Sequence, residues 1–250
     1  MPPTADAAPV SLAFLGSGEF EPWTEALDRW ALARCPNPGG VALVAPAAAA
    51  HEGEAVFSRW ARLGLEHYGR LGIPAEVLDL RVRDDAYRDE VVERLGAASL
   101  VAFSGGNPAR LASILADTPL WSALRSRVAA GLPYAGCSAG VSALCAIAFD
   151  NEARLPSRMW KPGLGALREV LVAPHWDAID RWVPGATRFI LRRVAEGHAF
   201  LGLDERTAIV GDGVRWEVVG SGRANVRRPD GAWEHHPAGA TFDLPIGPLR

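Results

Sequence analysis

From Val10 to Phe149 the chain alternates short apolar runs with longer stretches of helical spacing, and few folds satisfy that alternation. Val10–Gly16, Val41–Pro46, Ala75–Leu80, Ser99–Phe103 and Pro133–Cys137 read as strands. Glu21–Ala33, Glu54–Leu71, Asp84–Leu95, Pro108–Ala116, Leu120–Ala130 and Ala139–Phe149 read as helices. Successive parallel strands need a crossover of a dozen or more residues, which a helix supplies. The helices then cover both faces, and the expected fold is α/β: three layers, αβα, around a mostly parallel central sheet. After about residue 165 the pattern changes. Short strands follow one another between turn signals such as Gly211-Asp212-Gly213, Gly220-Ser221-Gly222 and Pro229-Asp230-Gly231, with one helix at about Pro184–Glu196. These read as antiparallel C-terminal strands. Repeats and linkers are absent, so residues 10–250 are expected to form one domain after a disordered, Pro/Ala-rich stretch at 1–9.

Composition removes several function classes. A net charge of −3 offers no large positive field for nucleic acid. No apolar run reaches bilayer length, and Met1–Pro9 lacks the basic and apolar regions of a signal peptide. Cys35, Cys137 and Cys145 form neither a C-x-x-C pair nor a disulfide ladder, so a reduced, cytoplasmic compartment is the expectation. Gly16-Ser17-Gly18 follows the first strand, but Glu21 stands where a dinucleotide fingerprint needs glycine. No His, Cys or carboxylate spacing suggests a metal, and no cofactor is expected.

Chemistry concentrates in Gly136-Cys137-Ser138-Ala139-Gly140. A sharp strand-to-helix turn exposes the central serine oxygen and requires small neighbours on both sides. The following helix brings free N–H groups and a positive dipole end. Alone, the pentapeptide is as well explained by a tight turn; the strand before it and the helix after it favour a nucleophile. Phe103-Ser104-Gly105-Gly106-Asn107 ends another strand and frees a backbone N–H at Gly106, although a plain loop capped by Asn107 explains it equally. His175, in Ala173-Pro174-His175-Trp176-Asp177, is the histidine at a strand end and suits a general base. His51, His67 and His198 read as surface residues, and His235-His236 as part of a polar turn. Cys137 should point away from Ser138, as neighbours on a strand do.

Taken in order, Gly16-Ser17-Gly18, Phe103–Asn107, Gly136–Gly140, Pro174-His175-Trp176 and Gly202-Leu203-Asp204-Glu205-Arg206-Thr207-Ala208 resemble the S51 peptidase family. That family includes aspartyl dipeptidases and cyanophycinases and has a class I glutamine amidotransferase-like fold. The resemblance covers most of the chain and is nearer the dipeptidase branch. It implies Ser138 as nucleophile, His175 as base, and the N–H groups of Gly106 and Ala139 as oxyanion donors. It places the acid behind the histidine some fifteen positions past the serine, at Asp150 or Glu152, with Glu205 as the competing candidate. Asn107, Arg188 and Arg192 are substrate-contact candidates; the two arginines lie one helical turn apart and equally fit a solvated face. Cyanophycinases carry an acidic residue just before the His-aromatic pair, where this chain has Ala173-Pro174, which argues against cyanophycin. The expected function is therefore a serine peptidase acting on small peptides, with an aspartyl preference. The alternative is an inactive or repurposed relative that binds a small peptide or metabolite. A monomer or homodimer without nucleic-acid or membrane partners is expected.

Overall fold

A computed structural model describes residues 10–247 and 249; the stretch 1–9, expected to be disordered, lies outside the described residues. The first five apolar runs form β1 (Leu12–Leu15), β2 (Val41–Ala45), β3 (Ala75–Val77), β4 (Ala98–Phe103) and β5 (Tyr134–Cys137). They pair in parallel in the order β3-β2-β4-β5-β1. Their runs are continuously apolar because both faces are covered. Ala13, Leu15, Val44 and Leu100 meet α1 (Glu25–Leu32) and α2 (Glu54–Arg70) through Leu27, Ala31 and Tyr68. Leu12, Phe14, Leu43 and Val101 point the other way. They meet α3 (Asp89–Glu93), α4 (Pro108–Leu115) and α5 (Pro119–Ala129) through Val91, Leu111, Leu115, Leu120 and Leu124. Three layers result. The ends of α4 and α5 are written locally: Asn107 and Thr118 accept N–H bonds from Arg110 and Trp121, and Pro108 and Pro119 open the helices.

Two helices are shorter than the sequence suggests. The stretch Asp84–Leu95 contains only α3, between 3₁₀ turns at Arg83–Tyr87 and Arg94–Gly96. The helix expected over Ala139–Phe149 is α6 (Ala139–Ser142) alone. Beyond it, the carbonyls of Ala143, Leu144, Cys145 and Ala146 accept N–H bonds from Leu164, Ala166, Gly165 and Gly163, respectively. That returning segment removes the acceptors a longer helix would use, and the chain leaves as β6 (Ile147–Phe149), paired with β7 (Trp160–Pro162).

The remaining strands divide between two sheets. They are β8 (Val170–Ala173), β9 (Ala199–Leu203), β10 (Thr207–Gly211), β11 (Arg215–Gly220), β12 (Arg223–Arg227), β13 (Trp233–Pro237) and β14 (Thr241–Asp243). β10, β11 and β14 continue the main sheet from β1 in antiparallel sense, as expected of the C-terminal strands. The others form a separate sheet, β13-β12-β9-β8, in which β8 and β9 are parallel rather than antiparallel. Their crossover carries α7 (Ile179–Trp182) and α8 (Ala186–Leu191), two short helices where one was expected over Pro184–Glu196. Gly185, at φ 83°, separates them. Two histidine assignments also change. His67 is fully buried on α2, with Nε2 2.7 Å from the Asp28 carboxylate, and burial pushes that carboxyl's pKa up. His235 and His236 lie on β13 rather than in a turn.

Candidate active site

β5 lies between β1 and β4 in a parallel sheet, so the turns leaving all three meet at one edge. Open α/β sheets bind ligands at this carboxyl edge. Ser138 leaves β5 at φ 49°, ψ −103°, a conformation that favours glycine, and α6 starts at the next residue. The tight turn needs its flanking glycines: a Cβ on Gly136 would strike the Gly140 carbonyl, and one on Gly140 would strike the Phe103 carbonyl. Ser138 N–H is fixed to the Leu15 carbonyl at 3.0 Å, and the side chain turns outward, half-buried.

Ser138 Oγ lies 2.9 Å from His175 Nε2, and His175 Nδ1 lies 3.0 Å from Glu205 Oε1. An ionised carboxylate only accepts, so the Nδ1 proton faces Glu205 and Nε2 is left to accept from the serine hydroxyl. His175 and Glu205 follow the adjacent strand ends of β8 and β9 in the second sheet. His175 is held at φ 55° and its ring packs 5.2 Å from that of Trp182. Gly16 leaves room for the loop that carries Glu205, since a Cβ there would strike the carbonyls of Leu203 and Asp204. Glu205 N–H donates to Asp177 Oδ1 at 2.8 Å, and Arg206 N–H to Ser17 Oγ at 2.9 Å. Beside it, burial and the Asp177 charge raise the pKa of Asp204. The Gly16-Ser17-Gly18 run therefore seats this loop.

The place behind His175 belongs to Glu205, not to Asp150 or Glu152. Asp150 accepts from Asn107 Nδ2 at 2.9 Å, and Glu152 from Arg110 Nε at 3.0 Å. Both lie past a helix that ends early, on the α4 side of the site. Asn107 is fully buried, with its oxygen capping α4 and its amide nitrogen on Asp150. Its burial leaves it no open face for substrate, and the structure gives it a capping role in place of the expected contact. Arg188 and Arg192, on and just after α8, line an open groove with Arg227 and Trp233.

Among the described residues, the N–H groups of Gly106 and Ala139 have no acceptor within the protein. The Gly105-Gly106 turn abuts the serine, since a Cβ on Gly105 would lie 3.9 Å from Ser138 Oγ. Gly106 sits at φ 143°, and a Cβ on it would collide with the Ala48 backbone. Glu19, absent from the sequence reading, organises this edge. Its carboxylate accepts from Gly105 N–H and from Cys137 Sγ–H, both at 2.8 Å, and so joins the turns after β1, β4 and β5. Its only signal in the sequence was its position one residue past Gly16-Ser17-Gly18. Burial and the Glu19 charge push the Cys137 pKa well up, which keeps the thiol protonated and turned away from Ser138.

The sequence model of peptidase family S51 matches residues 12–219, and the chain belongs to that family. Its α/β architecture is the class I glutamine amidotransferase-like fold. Among solved structures, a peptidase from an acI-B1 actinobacterium is 30% identical with a TM-score of 0.85, covering 94% of this chain and 97% of that one. A candidate peptidase E from Listeria monocytogenes EGD-e, 18% identical at TM-score 0.59 over 88% of this chain and 99% of that one, supports the fold. Cyanophycinases of Nostoc sp. (strain PCC 7120) and Trichormus variabilis are each 33% identical over 162 residues, or 62% of this chain. The match spans about half, 53%, of the length of those curated relatives. No helix among the described residues is long and apolar enough to cross a membrane.

Proposed function

We propose that this chain is a serine peptidase in which Ser138 forms an acyl-enzyme. The observation that carries the reading is the unbroken line from Ser138 Oγ through the His175 imidazole to Glu205, at 2.9 and 3.0 Å. As Ser138 attacks the peptide carbonyl, His175 Nε2 takes its proton and then delivers it to the leaving amine. Glu205 holds the tautomer and stabilises the imidazolium. The N–H groups of Gly106 and Ala139 receive the oxyanion, and water then releases the acyl group through the same base. A repurposed relative would be expected to lack an acid behind the imidazole, and Glu205 at 3.0 Å supports the active reading instead.

For substrate we propose small acidic peptides, in keeping with the dipeptidase branch and with the arginines on α8. Purified protein should release amino acid from Asp-X dipeptides faster than from β-aspartyl-X or neutral dipeptides. A fluorophosphonate should phosphonylate Ser138 Oγ with loss of fluoride, stop turnover and add the mass of the phosphonyl group to the peptide containing Ser138. Turnover that survives labelling at Ser138 would refute the mechanism; faster release from β-aspartyl-arginine than from Asp-X would shift the substrate toward cyanophycin fragments.

Glu19 acts in this scheme by fixing the Gly105-Gly106 turn. Removing one oxyanion donor outright costs about 10²- to 10³-fold in kcat. Misplacing one through Glu19→Ala should therefore lower kcat by about tenfold to a hundredfold, with KM little changed. Glu19→Gln, which can still accept from Gly105 N–H, should recover much of the loss. Steady-state kinetics of the pair test this, and an unaltered kcat in Glu19→Ala removes the role.

A further inference from the structure

The face of the second sheet that starts beside His175 extends well past it. Arg227 lies directly opposite Phe200 and Trp233, and Asn225 opposite Gly202 and His235, so these residues share a face. Trp176, next in sequence to His175, folds over Gly202. Its ring packs 4.6 Å from Phe200 and 6.5 Å from Trp233, and Trp233 stacks on His235 at 6.0 Å. An aromatic wall thus runs from the base toward the far end of the sheet. There, Thr187, Arg188, Leu191 and Arg192 face Arg227 and Trp233 across an open groove of about 410 Å³.

The groove is built for negative charge. Among the described residues, none of Arg188, Arg192 and Arg227 is in an ion pair. The nearby Asp180 is engaged by Thr187, whose N–H and hydroxyl donate to it at 3.0 and 2.5 Å. Leu191 and Trp233 give the cations an apolar flank, which strengthens guanidinium–carboxylate pairing. Arg227 is level with Phe200 and Leu171, whereas His175 and Glu205 leave the opposite strand ends. Four residues at about 3.3 Å each put the backbone of Arg227 roughly 13 Å along the strands from that of His175, and two strands, about 10 Å, to the side. With the arginine side chain reaching back toward the base, an extended peptide covers the remaining distance in about three or four residues.

We infer that this groove is a distal subsite for a carboxylate carried three or four residues from the cleaved bond, so that the substrate class includes acidic peptides longer than dipeptides. Arg192 and Arg227 bind the carboxylate and Trp233 packs against its stem. The position of the cleaved bond rests on the serine-peptidase reading; the anion preference does not.

The test compares an acidic pentapeptide with the dipeptide that shares its cleaved bond. Arg227→Ala, Trp233→Ala and the charge reversal Arg192→Glu should each lower the pentapeptide-to-dipeptide ratio of kcat/KM by about tenfold or more, through KM of the pentapeptide. Calorimetry on Ser138→Ala separates the two readings, because binding there needs no turnover. The pentapeptide should bind that variant, and about tenfold more weakly when Arg227→Ala is added. If wild-type protein cleaves neither peptide but this Arg227-dependent binding is found, the groove stands and the peptidase reading falls. If cleavage occurs and the ratio is unmoved in all three variants, or if the pentapeptide does not bind, the subsite is refuted.

Discussion

Ser138→Ala is expected to lower kcat by about 10⁴- to 10⁶-fold and to leave the fold as it is. The upper figure is the cost of losing the nucleophile of a well-measured serine peptidase. The lower bound allows for residual catalysis by the oxyanion N–H groups and substrate binding. The structural half of the expectation follows from the local contacts. Among the described residues the side-chain oxygen of Ser138 is bonded only to His175, while its N–H and carbonyl are held by Leu15, Val141 and Ser142. Alanine keeps the same Cβ, so the strain of a residue at φ 49° is neither relieved nor increased. Thermal melting followed by far-UV circular dichroism should shift by no more than a few degrees. Substantial turnover by the folded variant would show that another group attacks. Cys137, protonated, buried and bonded to Glu19, is poorly placed to be that group.

The second large effect concerns the acid. Glu205→Ala should reduce kcat by about 10³- to 10⁴-fold, the scale seen when the carboxylate behind a catalytic histidine is lost or replaced by an amide. Glu205→Gln should be nearly as damaging, because its amide can present N–H to Nδ1 and favour the wrong tautomer. Asp150→Ala and Glu152→Ala should stay within a few-fold of wild type in kcat. Asp150→Ala should show its effect in stability instead, because it strips the buried amide of Asn107 of its acceptor. Parallel kinetics and melting curves of these variants distinguish the assignments. A collapse of kcat in Asp150→Ala with Glu205→Ala unaffected would reverse them.

The parallel core was legible in the sequence because its signals are local. Continuous apolar runs, Pro108 and Pro119 at helix starts, and Asn107 and Thr118 as caps all act within a few residues. The serine turn was legible for the same reason. What escaped the sequence depends on contacts between distant segments. The helix after Ser138 ends at Ser142 because residues 163–167 take the carbonyls that follow, and nothing near Ser142 announces this. The acid that the resemblance places some fifteen positions past the serine, Asp150 or Glu152, is carried by the shortened helix to the α4 side. Glu205 meets a histidine 30 positions earlier only because β8 and β9 pair in parallel. Glu19 meets Cys137 from 118 positions away, across neighbouring strands. The division of the C-terminal strands into two sheets was equally hidden, since their apolar pattern does not state which neighbour each will choose.

Placing the nucleophile on one sheet and its partners on another constrains how such a chain can diversify. The turn with Ser138, the glycines around it and the parallel strands beneath form a unit that is indifferent to what is cleaved. The smaller sheet carries His175 and Glu205, and the same backbone carries Trp176, Arg227 and Trp233. Any remodelling of β8 or β9 to admit a new ligand also moves the imidazole relative to a fixed hydroxyl. Whereas α7 carries Trp182 against the imidazole, changes confined to α8 and to β12 and β13 leave that distance alone. Descendants of this scaffold would acquire new preferences there, and large insertions between β8 and β9 would survive only where they keep His175 and Glu205 in register.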